Sequence, residues 1–562
     1  MARSPHGDGV SASVGWAVAV VVGLLLTLIA TAAMANEQST GQTYPNNFVT
    51  NVGFVYDANF PRLAARTDVS QSGSQTTTYG YVPVAPPGGG MSPGALELQN
   101  EIQPLASIAY GYDALGRLAT RTVSGNGPET FGYDALGRLA THADALGSFR
   151  LGYNGDTGQI ASRVTSRVST AWTYLPNASD RRLSGVTTTW RAGGQFTSFA
   201  YASNAEDQIT TTTQTSDAAI AAPSNASTQT TTYPSPNTLN QVSRLNGGTP
   251  WTWDADGNLT SAMLRAYVWA GDNQLISAAS QLGGSGPGAT SFTYDGLGRR
   301  TSITETPTGG TATTTNYVWC GDQLCQARTS AGAVERAYYA EGEYVPGSPA
   351  TSLYYAPDNL GSVRRVFSTN GASMTSPTYD YDPYGNALQT TAPVTDFTWA
   401  GMFHESLNGL YLTNYRPFDP VTGRFQSRDP LGENADPEGN LYPYAANDPV
   451  NANDPLGLCP LTDGEVPPNG NADPEAASEG TLSGTRTTIR PSLNAANTRG
   501  LMRENESADI LVKNGYDVEQ NPDVQGTNKN PDYRVNGEIY DNYAPETGSV
   551  RNIDSNIEEK IT

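Results

Sequence analysis

The stretch Tyr110-Gly-Tyr-Asp-Ala-Leu-Gly-Arg-Leu118 decides the fold, because it recurs almost unchanged as Phe131-Gly-Tyr-Asp-Ala-Leu-Gly-Arg-Leu139. A looser copy, Leu151-Gly-Tyr-Asn-Gly-Asp-Thr-Gly-Gln-Ile160, comes next, and further copies continue as far as Phe292-Thr-Tyr-Asp-Gly-Leu-Gly-Arg299. The tyrosines at positions 112, 133 and 153 are 21 and 20 residues apart. A fixed period of this length predicts an array in which each unit buries its apolar face by stacking on its neighbours.

Each unit is predicted to form two strands joined by a tight turn. An aromatic residue, a small residue and a tyrosine precede Asp113, and the run from Leu118 to Val123 follows it. Both patterns are typical of β-strands. An Asp side chain can accept a hydrogen bond from the backbone two residues further on, and Gly116 tolerates a positive φ. One β-hairpin per repeat follows, so the fold class is mainly β and the repeated Tyr and Asp residues are assigned structural roles.

The bulk composition agrees with a repeat array of short strands. At 562 residues the chain exceeds what one hydrophobic core usually organises. Only 15% of its residues are charged, and its 59 Gly and 37 Pro favour turns over long helices. The formal net charge of −22 argues against a surface that holds nucleic acid by charge alone, and it is typical of a soluble secreted protein.

Residues 1–35 have the layout of an export signal: a polar start with Arg3, an apolar run over residues 14–29, and a small-residue exit, Ala33-Met34-Ala35. Cleavage there would leave Asn36 as the mature start. The apolar run is long for a signal, so an uncleaved membrane anchor is the alternative. Either way the remainder is expected to be secreted or displayed at the cell surface, beginning with an irregular or β segment over residues 36–99.

The three cysteines are too few for a disulfide framework. Cys320 and Cys325 are spaced to form one small loop bridge in an oxidising compartment, and free packed thiols are an equally good interpretation. Cys459 has no obvious partner.

The repeats resemble the YD repeats of the Rhs/YD-repeat proteins, because the Tyr-Asp-x-x-Gly-Arg-Leu core appears verbatim more than once. Tyr379-Asp-Tyr-Asp-Pro-Tyr-Gly385, Leu410-Tyr-Leu-Thr-Asn-Tyr-Arg416 and Phe418-Asp-Pro-Val-Thr-Gly-Arg-Phe425 resemble the closing Rhs-associated core of that family. The resemblance implies YD repeats over residues 100–350 and the core over residues 351–458. It implies a strip of antiparallel β-sheet that spirals into a hollow shell. Members that fully enclose a cargo are usually much longer, so a partial or open shell is the alternative to a closed one.

The boundary between the repeats and the C-terminal segment contains Asp429-Pro-Leu-Gly432 and Asp454-Pro-Leu-Gly457. A single Asp-Pro-x-Gly is usually only a turn. By resemblance, two copies at the end of the core form an autoproteolytic element that cuts after Leu458. Two carboxylates close together in a water-poor pocket cannot both stay ionised, so one can act as base toward water and the other as acid toward the scissile amide. Arg428 is the candidate for holding one of them ionised.

The segment after the seam is predicted to be a flexible leader over residues 459–490 and a small α/β domain over residues 491–562. A helix is predicted over residues 494–513, stopped by Asn514-Gly515. A short strand begins at Tyr516, and two β-type runs flank Asn536-Gly537, which is a strong hairpin signal.

A helix that carries Glu, followed by Pro-Asp at the start of a strand and by an acidic residue on the partner strand, is typical of the restriction-endonuclease-like fold. Carboxylates from adjoining elements there converge on Mg²⁺, which activates a water and stabilises charge on the phosphate. The expected Lys two residues after the last acid is absent, and solvated surface carboxylates are the ordinary alternative. No histidine lies in this segment. The candidate nuclease residues are Glu506 or Glu504, Asp532, and Asp541 or Glu538, with Glu506, Asp532 and Asp541 as the Mg²⁺ ligands.

The stretch of this domain from Arg503 to Pro545 resembles the C-terminal toxin domain of contact-dependent growth inhibition (CdiA-type) proteins. The resemblance implies a tRNA-cleaving nuclease, a cognate immunity protein, and a carrier protein such as elongation factor Tu that presents the tRNA. It also implies a further strand, so the domain is expected to be truncated. The favoured interpretation is an exported polymorphic toxin that acts in the cytoplasm of a target cell through an unidentified secretion apparatus. The alternative is a non-enzymatic surface or adhesion protein with a degenerate tail.

Overall fold

The structure is a computed structural model that describes residues 41–42, 51–58, 60, 62–70, 73–84, 93–205, 207–220, 232–280, 286–371, 373–388, 391–432, 440–458, 482–484, 518–521, 533–535 and 538–540. The chain divides into two compact units, and the second contains nearly all of residues 7–470. The export signal, the helix at 494–513 and the side chains of all five nuclease candidates lie outside the described residues.

The first sheet of the larger unit has fifteen strands, and each pairs antiparallel with the next one along the chain. It therefore grows hairpin by hairpin, as the repeats predict, and it begins well before residue 100. Its strands are β1 Gly41–Gln42, β2 Asn51–Tyr56, β3 Leu63–Ser70, β4 Gly73–Tyr81, β5 Leu98–Ile102, β6 Ser107–Tyr112, β7 Leu118–Val123, β8 Glu129–Tyr133, β9 Leu139–Asp144, β10 Gly147–Tyr153, β11 Ile160–Val164, β12 Val168–Tyr174, β13 Leu183–Trp190, β14 Phe196–Ser203 and β15 Ile209–Ser216.

A second sheet of thirteen strands repeats this meander, again in sequence order and again antiparallel. Its strands are β16 Thr252–Trp253, β17 Leu259–Ala262, β18 Arg265–Trp269, β19 Leu275–Ser280, β20 Gly288–Tyr294, β21 Arg300–Pro307, β22 Thr313–Cys320, β23 Gln323–Thr329, β24 Val334–Tyr339, β25 Gly342–Val345, β26 Thr351–Pro357, β27 Val363–Asn370 and β28 Ser373–Thr375.

Two smaller sheets follow. The third consists of β29 Phe403–Glu405, β30 Leu410–Leu412, β31 Pro417–Asp419 and β32 Arg424–Phe425. The fourth belongs to the other compact unit and consists of β33 Leu482–Gly484, β34 Val518–Gln520, β35 Tyr533–Val535 and β36 Glu538–Tyr540. Short 3-10 turns occupy Asn177–Ser179, Trp399–Gly401 and Ala445–Asn447. Among the residues that the structure describes, no helix has the length and apolar character needed to cross a membrane.

The fourth sheet confirms the predicted C-terminal hairpin and changes one boundary. β35 and β36 pair antiparallel on either side of Asn536-Gly537, with Val535 opposite Glu538. β33 lies inside the segment predicted as a flexible leader, yet it pairs in parallel with β34. Regular backbone pairing therefore starts before residue 490, because hydrogen bonds to a distant strand order a stretch whose composition alone favours a loop.

The YD hairpins have the predicted turn and a bulge that the sequence does not show. In the first, Asp113 Oδ1 accepts hydrogen bonds from the N–H groups of Leu115 (2.9 Å) and Arg117 (3.0 Å). Gly116 takes a φ of +77°, which a glycine adopts without strain. The strand register shifts by one residue between Gly111 and Tyr112. Such a bulge twists the pair and re-aims the tyrosine side chain.

The repeated tyrosine hydroxyls tie each hairpin to the preceding one. Tyr112 Oη donates to the carbonyl oxygen of Leu98 at 2.7 Å, and Tyr133 Oη donates to that of Leu118 at 2.8 Å. The same bond recurs from Tyr153 to Leu139, from Tyr174 to Ile160 and from Tyr294 to Leu275. In these five repeats the tyrosine therefore satisfies a backbone carbonyl of the strand before it, which links successive units of the array.

The first two sheets share apolar cores. Ile108 and Tyr110 of β6 lie in one buried cluster with Val318 and Cys320 of β22. Phe149 and Trp190 lie in another with Tyr354 and Phe367, all contributed by β10, β13, β26 and β27. In the first cluster Cys320 and Cys325 form a disulfide, with their Cα atoms 5.9 Å apart. The sequence left a disulfide and two free thiols as alternatives, and the structure contains the disulfide.

A buried ion-pair network also joins these sheets. Arg66 of β3 bonds Asp295, in the turn after β20, with 2.9 Å between Nη2 and Oδ2. The same carboxylate lies 2.8 Å from Arg299 Nη2, and its Oδ1 accepts the backbone N–H of Arg299. A YD-turn aspartate can thus serve the turn and the contact between sheets at once.

Replacing Asp295 with alanine is expected to destabilise the protein by about 3 kcal/mol, because it removes a buried carboxylate from Arg66, which keeps Asp68, and from Arg299, which keeps only Glu101 at 3.9 Å among the ion pairs described. Asp113→Ala is the matched control, since Asp113 has the same turn role but a partly exposed ion pair with Arg117. Thermal unfolding should show a clearly larger loss for Asp295→Ala. Equal losses would contradict the cross-sheet role.

Candidate self-cleavage site

The two Asp-Pro-Leu-Gly segments form the turns that their sequence predicts. Asp429 Oδ1 accepts the N–H of Leu431 at 2.9 Å. Asp454 Oδ1 accepts the N–H groups of Gly457 at 2.8 Å and Leu458 at 2.9 Å. Each turn thus uses one carboxylate oxygen for the backbone and leaves the other, Oδ2, for a second purpose.

Both remaining oxygens face one guanidinium group. Arg416 Nη2 lies 2.7 Å from Asp429 Oδ2 and 3.2 Å from Asp454 Oδ2. The contact to Asp454 is a hydrogen bond, whereas that to Asp429 is an ion pair whose Oδ2 accepts no hydrogen bond. All three residues are at most 5% exposed. The predicted convergence of Asp429 and Asp454 in a water-poor pocket is therefore present in the geometry.

Local structure fixes Arg416 where it can reach both turns. It ends the tight turn between β30 and β31, in which Thr413 Oγ1 accepts its N–H at 3.0 Å and donates to its carbonyl at 2.7 Å. Its guanidinium carbon lies 3.7 Å from the ring centre of Phe425. Nη1 donates to the carbonyl of Leu441 at 3.0 Å, and Nε donates to that of Gly457. A packed arginine with this many fixed acceptors is held in one position.

Gly457 is required by a close approach. Its φ is +75°, and a Cβ atom there would lie 3.1 Å from the backbone nitrogen of Arg416 and closer still to Thr413 Oγ1. The Asp454 turn therefore packs directly onto the arginine turn, and the next residue, Leu458, is 2% exposed. The residue that would precede the cut lies buried beside the acidic pair.

The environment of Asp454 suits a proton carrier. Burial raises the pKa of the Asp454 carboxyl to about 7, and nearby Asp429 adds to that rise. Arg416 and the N–H groups of Leu458 and Gly457 act in the opposite direction. A carboxyl with this pKa can hold a proton at neutral pH and give it to a leaving amine, while Asp429, closer to Arg416, is placed to act as the base.

Arg428, the arginine predicted from the sequence, has a different environment. A Cβ atom built on Gly257 would lie 2.6 Å from Arg428 Cδ and 2.8 Å from the hydroxyl of Tyr442. The residue with ion pairs to both aspartates is Arg416. In the sequence, Arg416 ends the core motif Leu410–Arg416 and is not adjacent to either Asp-Pro-Leu-Gly segment. No sequence pattern therefore indicated that it pairs with the two aspartates.

If Asp454 is the acid, self-cleavage should slow as pH rises. The protonated fraction falls through the raised pKa of about 7, so the rate should drop about tenfold for each pH unit well above it. The measurement is the rate at which denatured full-length chain becomes cleaved on refolding between pH 5 and 9. A rate that instead rises from pH 7 to 9 would make Asp454 the base.

Three family models match the chain. Residues 112–148 match the RHS Repeat model, and residues 186–450 match the Teneurin YD-shell model. These two segments of the chain therefore carry Rhs/YD repeats. The tyrosine-linked hairpins and the meandering sheets agree with that family. Residues 529–562 match the C-terminal domain model of contact-dependent growth inhibition CdiA.

Two relatives of this chain are nucleases by name. It is 53% identical over 90 residues to the tRNA nuclease CdiA-2 of Burkholderia pseudomallei, a stretch that covers 16% of this chain and 3% of the relative. It is 31% identical over 232 residues to the tRNA3(Ser)-specific nuclease WapA of Bacillus spizizenii, covering 39% of this chain and 10% of the relative. The chain thus spans a small part of the length of either relative.

A solved toxin and immunity complex, CdiA-CT/CdiI from Burkholderia pseudomallei, is 55% identical to this chain in the matched region. The match covers 15% of this chain and 61% of the solved chain, with a TM-score of 0.14.

Proposed function

We propose that this protein is a polymorphic bacterial toxin whose YD-repeat shell cuts itself after Leu458 and carries a C-terminal nuclease that cleaves tRNA. The observation that carries the proposal is the 53% identity over 90 residues to a protein named as a tRNA nuclease. The match of residues 529–562 to the CdiA C-terminal domain model supports it as well. Export and delivery into a competing cell belong to the same proposal.

The self-cleavage half rests on the buried Asp429, Asp454 and Arg416. In the proposed reaction the Asp429 carboxylate removes a proton from water, and the water oxygen attacks the carbonyl carbon of Leu458. Asp454 gives its proton to the amide nitrogen of Cys459 as the carbon–nitrogen bond breaks. The Leu458 N–H, bonded at 2.9 Å to Asp454 Oδ1, keeps the scissile residue next to the acid.

The nuclease half rests on the hairpin and the carboxylates around it. β35 begins one residue after Asp532, and β36 ends one residue before Asp541. Tyr533 and Tyr540, their neighbours, pair across the hairpin. Glu538 starts β36, nearest the turn, so Asp541 is the better partner for Asp532 in a Mg²⁺ site with Glu506 or Glu504. Bound Mg²⁺ would supply an activated water and stabilise charge on the phosphate.

The partners follow from the same resemblance. A dedicated immunity protein is proposed to block the nuclease in the producing cell. Residues 459–562 contain 18 Asp and Glu against 9 Lys and Arg, an acidic excess that disfavours direct binding of tRNA, so a carrier protein such as elongation factor Tu is proposed to present it.

The test is inducible expression of residues 459–562 in a bacterium, with tRNA analysed on denaturing gels. Growth arrest together with cleaved tRNA, both relieved by co-expression of the immunity protein, is the expected result. Normal growth with intact tRNA would favour a surface protein with an inactive tail.

A further inference from the structure

A buried cluster of one imidazole and two carboxylates lies between the first two sheets, away from the self-cleavage site. His142 and Asp144 belong to β9 of the first sheet, and Glu341 lies in the turn between β24 and β25 of the second. His142 Nδ1 is 3.2 Å from Glu341 Oε2 and 3.8 Å from Asp144 Oδ2. One nitrogen and two oxygen atoms, one from each residue, lie within 4.8 Å of one another.

One of these oxygens is buried and unsatisfied. Asp144 Oδ1 accepts the backbone N–H groups of Leu146 (2.7 Å) and Gly147 (3.3 Å), which fixes the carboxylate. The side chain is fully buried, and its Oδ2 accepts no hydrogen bond. A buried carboxylate oxygen in this condition is costly unless a cation compensates it. This oxygen points toward His142 Nδ1.

The imidazole is oriented to present Nδ1 to that oxygen. Its Nε2 lies 3.4 Å from Glu129 Oε2, and Arg121 holds Glu129 through two hydrogen bonds of 2.9 Å. The ring stacks on Phe131 with 4.9 Å between ring centres. A carboxylate that accepts the Nε2 proton is common for histidines that bind metals. In this structure Nδ1 also donates to Glu341 Oε2 at 3.2 Å, and a metal ion would displace that proton and take the Nδ1 lone pair.

The second oxygen donor is also held in place. The backbone carbonyl of Glu341 accepts the N–H of Tyr355 at 3.0 Å. The side-chain Oε1 of Glu341 lies 3.9 Å from Arg163 Nη1. Its Oε2 is thereby left toward His142. Two ligands that each lie about 2.1 Å from a tetrahedral metal are about 3.4 Å apart. The observed separations of 3.2 and 3.8 Å are close to that spacing.

We propose that His142 Nδ1, Asp144 Oδ2 and a carboxylate oxygen of Glu341 bind a divalent transition-metal cation of the Zn²⁺ or Mn²⁺ class. Mixed nitrogen and oxygen ligands suit these ions. Because the ligands come from both large sheets, the bound ion joins the sheets beside the apolar cluster that Leu146 and Tyr339 share. The site is thus a structural metal centre of the shell.

The test uses the full chain, stripped with a chelator, dialysed and titrated with Zn²⁺ alone. Wild-type protein should bind one equivalent above background by elemental analysis, and Zn²⁺ should raise its melting temperature. Asp144→Asn should lose both effects while it keeps the Oδ1 acceptor of its loop, and Glu341→Gln should do the same. Glu129→Gln should weaken binding by about 10–100-fold, because it no longer fixes the imidazole tautomer.

Glu335→Gln is the matched control, because Glu335 is exposed on β24, close in sequence to Glu341. It should bind and respond to Zn²⁺ as the wild type does. The proposal is overturned if wild-type protein retains no equivalent of Zn²⁺, or if folded Asp144→Asn binds as much as Glu335→Gln. Zinc held by the C-terminal carboxylates would persist in Asp144→Asn and is distinguished in that way.

Discussion

Replacing Asp454 with asparagine is expected to leave one uninterrupted polypeptide through Leu458 and Cys459. The asparagine keeps an oxygen for the N–H groups of Gly457 and Leu458, so the turn should survive. It cannot supply a carboxylic proton to the leaving amine. Loss of a positioned general acid typically costs about 10²–10⁴-fold in rate. Intact mass should therefore show a single chain, whereas wild type should separate into fragments that end at 458 and begin at 459.

Two matched controls make the result specific. Asp448→Asn alters an aspartate of the same region whose carboxylate accepts hydrogen bonds from the side-chain amide of Asn451, and it should cleave normally. Arg428→Gln should also cleave, while Arg416→Gln should not, because only Arg416 forms ion pairs with both aspartates among the described residues. Complete cleavage of a folded Asp454→Asn chain would remove Asp454 from the mechanism.

The hairpins could be predicted from sequence because their determinants are local. Asp113, Gly116 and Arg117 lie within five residues, and the bonds that close the turn run among them. The bulge before Asp113 was not predicted, because it depends on how Tyr112 reaches Leu98 on an earlier strand. Local patterns specify a turn, whereas strand register depends on neighbours that the repeat does not contain.

Contacts between sheets lay beyond sequence reasoning. Arg66 and Asp295 are 229 positions apart, and no feature near either residue indicates the other. The same limit explains the choice of Arg428 over Arg416 at the self-cleavage site. Adjacency to Asp429 favoured Arg428, but the turn after β30 brings Arg416 to both carboxylates. The paired aspartates themselves were predictable, because a duplicated motif at a change of composition is visible in the chain.

Replacing Asp532 with alanine is expected to abolish tRNA cleavage and growth arrest by the C-terminal fragment. In the proposed site this carboxylate binds Mg²⁺, and without it the ion neither activates water nor stabilises the charged phosphate. The loss should be about 10²-fold or more in the rate of tRNA cleavage. Removal of Mg²⁺ with a chelator should have the same effect on the unaltered fragment, and restoring Mg²⁺ should reverse it.

The chain contains its own control for this substitution. Asn521-Pro522-Asp523 repeats the Asn-Pro-Asp triplet that contains Asp532, but it precedes no strand of the hairpin. Asp523→Ala should therefore retain tRNA cleavage. Asp541→Ala should lose it, because Asp541 follows Tyr540, the partner of Tyr533. Glu538→Ala should keep it. Full activity of Asp532→Ala would separate the nuclease from this hairpin. Loss in Asp523→Ala as well would indicate a general effect on folding instead of a metal ligand.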